Sequence, residues 1–316
     1  MPANIPSFSD IQEAHNRIQS LIHRTPVLSS SGINEMFNCE ISFKCENFQK
    51  VGAFKFRGAT NAVRLLKEKD SLKGVATHSS GNHAAALALA AKQLGVPAYI
   101  VMPENAPEIK KKAVQGYGAE ITFCKPTLEA REETLEIVQK RTGATFIHPY
   151  DNFNVICGQG TAAKELLDDI SDLEIIIAPV GGGGLMSGTS ISAKSMNPDI
   201  TVYGAEPLNA DDAYRSFMKG ELILAGPPKT IADGLLTSLS PLTFQIIKNN
   251  LNGIFTAKEE SIIIAMRIIW ERMKIIVEPS SAVPLATIIE NQDLFKGKKV
   301  GIIISGGNVD LNNLPF

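Results

Sequence analysis

Several short segments of this 316-residue chain carry residue types that could do chemistry. Lys55 lies in Gly52-Ala53-Phe54-Lys55-Phe56-Arg57-Gly58. A lysine between two aromatic side chains loses hydration if they pack against it, which lowers its pKa and favours the neutral amine that Schiff-base chemistry needs. Read locally, a lysine whose stem covers apolar surface while its ammonium stays in water is the more economical alternative. Gly181-Gly182-Gly183-Gly184 follows the apolar run Ile175–Val180 and precedes the small-residue stretch Leu185–Ser195. Four glycines in a row are costly in chain entropy, so a flexible turn or a close backbone approach must require them. A phosphate held by bare N–H groups at a helix start satisfies the second reading, and the helix dipole adds about 0.3–1 kcal/mol for an anion. Met186 and Ser187 break the dinucleotide fingerprint and no Gly-Lys-Ser/Thr follows, so the phosphate belongs to a small cofactor rather than a nucleotide. Ser79-Ser80-Gly81-Asn82-His83 joins a strand to a helix. Its hydroxyls and N–H groups could grip a carboxylate; a plain N-cap by Asn82 or Ser80, with His83 as a helix-start residue, would also account for it. Ser305-Gly306-Gly307-Asn308 closes the last apolar run, as a ligand-facing strand end or an ordinary turn. Glu206, Asp211 and Asp212 could offer oxygens to a hard cation or form a solvated acidic loop.

The elements that must position these residues alternate between strand and helix. Between Gly74 and Tyr150 the pattern predicts strands at Gly74–Thr77, Ala98–Met102, Glu120–Cys124 and Thr145–His148. Helices are predicted between them at His83–Leu94, Pro107–Gly116 and Leu128–Thr142. Such alternation implies parallel pairing, because parallel neighbours need a crossover helix. Glu40–Cys45, Glu174–Val180, Val202–Ala205 and Val300–Ile304 read as further strands. Ser9–Gln12 and Thr256–Glu259 fit capping boxes ahead of helical apolar stripes. The expected architecture is α/β with two open domains: residues 1–73 and 151–316 form the larger, 74–150 the smaller inserted one, and the cleft between them is the default site. Charge excludes other classes. Thirty-one Lys and Arg against 33 Asp and Glu give a net charge of −2, no footprint for nucleic acid or an anionic membrane. The four cysteines, Cys39, Cys45, Cys124 and Cys157, are scattered, which fits neither a disulfide scaffold nor a zinc motif. The opening segment lacks a basic and apolar signal, and apolar runs such as Ala84–Ala91 fall short of the roughly 20 residues that span a bilayer. A cytoplasmic location is expected.

Taken in order, Phe54-Lys55-Phe56-Arg57-Gly58-Ala59, Ser79–His83, the glycine tetrad and Ser305–Asn308 resemble the fold-type II pyridoxal-phosphate (PLP) enzymes across essentially the whole chain. The resemblance is greatest to the serine racemase group, with serine and threonine dehydratases as near relatives. It implies that Lys55, flanked by Phe54, forms the covalent imine with PLP, that Gly181–Gly184 and Leu185 hold the phosphate, that Asn82 contacts the ring hydroxyl, and that Ser305 faces the ring nitrogen. It implies substrate contacts at Ser79, Ser80, Gly81, Asn82, His83 and Gly234. Racemisation needs proton carriers on both faces of the substrate; by resemblance Lys55 serves one and Ser80 the other, where biosynthetic threonine dehydratases carry alanine. The family metal loop maps to Glu206, the Ala210 carbonyl and Asp212, for Mg2+, Ca2+ or Mn2+. ATP as an effector maps to Ser30, Ser31, Lys50, Tyr117, Lys274 and Asn308, although Gly32, Val51 and Ala85 depart from ATP-responsive relatives. Tyr150 stands where some racemases have asparagine. The implied activity is interconversion of L- and D-serine with side elimination to pyruvate and ammonia. The alternative is a dehydratase acting on serine, threonine or 3-hydroxyaspartate; a homodimer is implied in either case.

Overall fold

Short apolar runs separated by amphipathic stretches fold here into two sheets flanked by helices. The computed structural model describes residues 5–68, 72–79, 81–106, 108–226 and 228–316. In chain order the strands are β1 (Val27–Ser29), β2 (Glu40–Cys45), β3 (Val75–His78), β4 (Ala98–Pro103), β5 (Glu120–Cys124), β6 (Thr145–Phe146), β7 (Ile175–Pro179), β8 (Thr201–Pro207), β9 (Gly253–Ala257) and β10 (Lys299–Ile304). The helices are α1 (Phe8–Ile18), α2 (Ser31–Phe37), α3 (Lys55–Lys67), α4 (Asn82–Leu94), α5 (Glu108–Gly116), α6 (Leu128–Thr142), α7 (Phe153–Asp169), α8 (Gly184–Met196), α9 (Asp212–Lys219), α10 (Pro241–Asn250), α11 (Glu259–Met273), α12 (Pro279–Glu290) and α13 (Gln292–Phe295).

The larger sheet runs β1-β2-β10-β7-β8-β9, parallel except for β1 against β2. The smaller, β5-β4-β3-β6, is wholly parallel. The chain winds outward from β7 through β8 to β9, while β10 returns on the other side of β7, so the order reverses between β7 and β10. In open α/β sheets ligands bind beyond the carboxyl ends of strands at such a reversal. The glycine tetrad leaves β7 there and Ser305 leaves β10. Every residue of β7 is buried, as expected of a strand covered by helices on both faces.

Helix α7 sets the spacing of the helices that begin at the site. A Cβ on Gly158 would lie 2.6 Å from Gly58 Cα, and one on Gly188 would lie 2.4 Å from the Gly160 nitrogen. Only backbone fits in those contacts, so α7 is clamped between α3, which starts at Lys55, and α8, which starts at Gly184. Alanine and leucine dominate α4, good helix formers without a β-branched residue, and Gly95 ends it in the left-handed conformation at φ 65°.

Local expectations differ in places. The first capping box is built on Ser7, not Ser9: Ser7 Oγ accepts from the Asp10 N–H, and Asp10 Oδ2 accepts from the Ser7 N–H at 2.8 Å. The second does not form, because Thr256 is held in β9 opposite Glu206; the N-cap of α11 is Lys258, whose N–H donates to Glu290 instead. Strand β6 stops at Phe146, short of the expected His148, where His148 Nδ1 accepts from the Asp151 N–H at 2.8 Å and turns the chain. Pro107, expected to open a helix, lies outside the described residues; α5 begins at Glu108.

Candidate active site

Lys55 opens α3 immediately after a segment stitched to the end of β10. Ala53 bridges Gly306, the Phe54 N–H donates to the Ser305 carbonyl at 2.9 Å, and the Gly307 N–H donates to the Gly52 carbonyl at 2.9 Å. These bonds join the lysine segment and the Ser305 loop although 250 residues separate them (305 − 55). Of the two aromatic neighbours, only Phe54 meets the amine, with Nζ 5.1 Å from its ring centroid; Phe56 is fully buried in the core under α4. Nζ also donates to the Pro149 carbonyl at 3.1 Å. Loss of hydration pushes the Lys55 pKa down to about 8, and the neighbouring Glu278 carboxylate opposes that shift without reversing it.

The glycine tetrad lies against Tyr150 and the turn containing Gly234. A Cβ on Gly182 would sit 2.3–2.4 Å from Tyr150 ring atoms, and one on Gly181 would sit 3.2 Å from the Gly234 carbonyl. Gly183 is the N-cap of α8 with φ 84°, a conformation that favours glycine, and no side chain caps that helix end. All four glycines and Leu185 are buried. The result is a close-packed run of glycine backbone at the uncapped start of a 13-residue helix, the kind of helix end that suits a phosphate.

Asn82 is the first residue of α4, and its N-cap, Gly81, offers no side-chain cap. The Asn82 amide donates to both oxygens of Glu278 at 3.1 Å and accepts from Asn308 Nδ2 at 2.9 Å. Ser79 accepts from the Gly81 N–H at 3.3 Å. Ser80 lies outside the described residues. His83 is buried, with Nε2 at 3.0 Å from the Ile147 carbonyl; desolvation, helped by the Lys55 charge, pushes its pKa down to about 3 and keeps the ring neutral. The Phe54–Ser305 backbone bond thus joins the lysine segment to the loop after β10, and Asn82 is tied to the same loop through Asn308.

Sequence reasoning missed the start of α12. Glu278, its N-cap, is a buried carboxylate that holds Asn82 and accepts from the Asn308 N–H at 3.2 Å. Burial raises its pKa to about 7. Ser280 accepts from the Gly234 N–H at 2.9 Å, and Ser281 contacts Ser305 at 2.9 Å. The available signal was Glu278-Pro279-Ser280-Ser281, an acidic residue before proline at the first helical position.

Two further groups stand apart. Glu206 and Asp212 are buried at the start of α9, where Glu206 accepts from the Ala213 and Tyr214 N–H groups at 3.1 and 2.8 Å. Asp212 Oδ2 is buried without a hydrogen-bond partner, and burial pushes both carboxyl pKa values upward. Ala210 is buried beside them in sequence. Among the described residues no three His, Cys, Asp or Glu side chains gather as a metal cluster, so a cation would need the Ala210 carbonyl and waters to complete its shell. Of the residues expected to serve a nucleotide, Lys50 and Asn308 meet at one turn: Asn308 Nδ2 donates to the Val51 carbonyl at 2.8 Å, while Lys50 Nζ donates to the Leu21 carbonyl at 2.6 Å. Ser30 caps α2 without a side-chain bond, Ser31 begins that helix, Lys274 ends α11 at φ 60°, and Tyr117 packs on the core of the smaller sheet. Among the described residues no helix is long and apolar enough to cross a membrane.

Comparison with known proteins bears on the family and the fold. The family model described as pyridoxal-phosphate dependent enzyme matches residues 18–306. The chain is 54% identical over 317 aligned positions to a serine racemase of Dictyostelium discoideum, covering 99% of this chain and 98% of that one. It is 51% identical to a beta-hydroxyaspartate dehydratase of Paracoccus denitrificans, covering 99% of each. The crystal structure of the Dictyostelium serine racemase superposes with a TM-score of 0.92 at 55% identity, over 96% of this chain and 99% of that one.

Proposed function

The chain belongs to the pyridoxal-phosphate-dependent enzyme family, and from that premise we propose that it is a PLP-dependent serine racemase that interconverts L- and D-serine and also eliminates serine to pyruvate and ammonia. The observation that carries this reading is the partly dehydrated Lys55 amine at the start of α3, tied by the Phe54–Ser305 backbone bond to the loop after β10, the strand beside the one that ends in the uncapped glycine tetrad. Lys55 is assigned the covalent attachment, with Phe54 beside it; Gly181–Gly184 and Leu185 hold the phosphate, Asn82 the ring hydroxyl and Ser305 the ring nitrogen. When bound, PLP supplies an electron sink that loosens the hydrogen on the substrate Cα. Lys55 Nζ, with its pKa near 8, takes or returns that proton on one face. Ser80 Oγ serves the opposite face, and inversion follows when one removes the proton and the other replaces it. Ser79, Gly81, Asn82, His83 and Gly234 surround the substrate, with the bare N–H groups at the start of α4 facing its carboxylate. If the β-hydroxyl takes a proton and departs as water before Cα is reprotonated, the released enamine is hydrolysed by water to pyruvate and ammonia.

The 51% identity to a beta-hydroxyaspartate dehydratase favours a second reading, elimination from 3-hydroxyaspartate, serine or threonine. Initial rates of D-serine and keto-acid formation, measured on one preparation by chiral chromatography, separate the two. The racemase reading expects D-serine to appear from L-serine alongside pyruvate. Rapid keto-acid formation with negligible D-serine would replace it with the second.

The reading extends to a divalent cation, Mg2+, Ca2+ or Mn2+, held by Glu206, Asp212 and the Ala210 carbonyl. The partnerless Asp212 Oδ2 supports it. A cation at about one hundred times its dissociation constant stabilises the folded state by about 2.7 kcal/mol. Thermal melting should therefore rise on adding Mg2+ or Ca2+, and Asp212→Asn should abolish the rise. An equal rise in that variant would remove Asp212 from the site. A homodimer in the cytoplasm, with ATP as an effector at Ser30, Ser31, Lys50, Tyr117, Lys274 and Asn308, completes the proposal and rests on the match of those positions to the family.

A further inference from the structure

The turn after β6 meets the lysine and the glycine tetrad through adjacent residues. The Pro149 carbonyl accepts from Lys55 Nζ at 3.1 Å, and the next residue, Tyr150, lays its ring against the tetrad. A Cβ on Gly182 would first meet three carbons of that ring, Cδ1, Cε1 and Cγ, at 2.3–2.4 Å, and one on Gly184 would meet Tyr150 Cβ at 2.9 Å. Gly183 needs glycine for its φ of 84°, but Gly182 has no positive φ, so the tyrosine ring is what excludes a side chain there. Tyr150 is itself fixed from both sides. His148 meets its ring edge-on, with 4.6 Å between centroids, and His148 Nδ1 accepts from the Tyr150 and Asp151 N–H groups at 3.3 and 2.8 Å. Burial pushes the His148 pKa down to about 4, which leaves that nitrogen free to accept. On the other side Asp151 accepts from Ser240 Oγ, at the N-cap of α10, at 2.8 Å.

We propose that Tyr150 is a positioning residue for the cofactor phosphate: its ring is the flat wall that holds the Gly182–Gly184 backbone in place, at a distance from the Lys55 amine set by the His148–Tyr150 turn. This deepens the proposed function and rests on its placement of the phosphate at the tetrad. Backbone N–H groups bind a phosphate well only when they are held at hydrogen-bonding distance and angle, and a run of glycines does not hold itself. Tyr150 supplies the rigidity that the four glycines lack. Ring carbons make the contact with Gly182, so the hydroxyl is not required for it.

The test is the affinity of the full-length chain for PLP, read from the visible absorbance of the bound aldehyde, set against its affinity for pyridoxal, which carries the same aldehyde without the phosphate. Tyr150→Ala should weaken PLP about ten- to a hundredfold, the worth of one hydrogen bond to a charged group, and leave pyridoxal unchanged. Tyr150→Phe keeps the ring and should bind PLP as the parent does. Tyr150→Leu fills the space without a flat face and should weaken PLP as alanine does, which guards against an alanine variant that packs poorly. Gly182→Ala drives a methyl into the ring and should also weaken PLP; adding Tyr150→Ala should recover part of that loss, because the methyl then has room. Equal weakening of PLP and pyridoxal, or losses that simply add in the double variant, would overturn the role of Tyr150. Unchanged PLP affinity in Gly182→Ala would overturn the placement of the phosphate at the tetrad, and the role of Tyr150 with it.

Discussion

Replacing Ser80 with alanine is expected to lower serine racemisation by about 10²- to 10⁴-fold, the usual worth of a positioned proton carrier. Elimination from the enantiomer whose Cα hydrogen faces Lys55 should continue. The variant would therefore turn over one hand of serine and not the other, an asymmetry that loss of cofactor or of folding would not produce. Side-by-side initial rates for L-serine and D-serine, with pyruvate and the opposite enantiomer both measured, check this. Racemisation that falls no further than elimination from the favoured hand would show that Ser80 carries no proton.

The second large effect concerns stability. Arg57, two residues after Lys55, is fully buried and bonded through its whole guanidinium. Nε and NH2 reach Glu46 at 2.7 and 2.8 Å, while NH1 and NH2 reach Glu165 on α7 at 2.8 and 2.7 Å. Lys44 Nζ adds a bond to Glu165 at 2.7 Å, and Thr25 donates to Glu46 at 2.5 Å. Two cations thus offset two carboxylates, and all four side chains are buried. Such a network is weak evidence of net stabilisation, but removing one member leaves an uncompensated buried charge, which costs about 3–5 kcal/mol. Arg57→Met should lower the melting midpoint on the order of 10 °C. Breaking the exposed Lys140–Glu136 pair with Lys140→Ala should leave it unchanged, because solvent screens exposed pairs. Melting curves of both variants in the same buffer decide the point. An Arg57→Met midpoint equal to the parent would mean that the network holds nothing. The location matters for function because Arg57 ties the first turn of α3 to α7, so its loss also loosens the anchor of the lysine.

The site was legible where its residues are contiguous. Lys55 between aromatics, the glycine tetrad after a buried strand and Ser305 at a strand end are each local patterns, and the fold brings them to the reversal between β7 and β10. What the sequence hid depends on approach through space. Glu278 and Ser281 act only because the start of α12 lands beside Asn82 and Ser305, a contact spanning 196 residues in the first case. Tyr150 against Gly182 and the Gly58–Gly158 contact are equally non-local, and α7, whose two glycines lower its intrinsic helix propensity, was not anticipated. Local cap signals misplaced the α1 and α11 starts: Ser7 caps α1 ahead of Ser9, which falls inside the helix, and strand pairing holds Thr256 in β9, so that α11 starts after Lys258.

The central claim is that the amine at position 55 holds the cofactor. Reducing the PLP-loaded protein with borohydride and mapping peptides by mass spectrometry tests it directly. One phosphopyridoxyl label on the peptide containing Lys55, absent from a Lys55→Ala variant, is the predicted result. A label on another lysine, or an unlabelled protein that still racemises serine, would contradict the account.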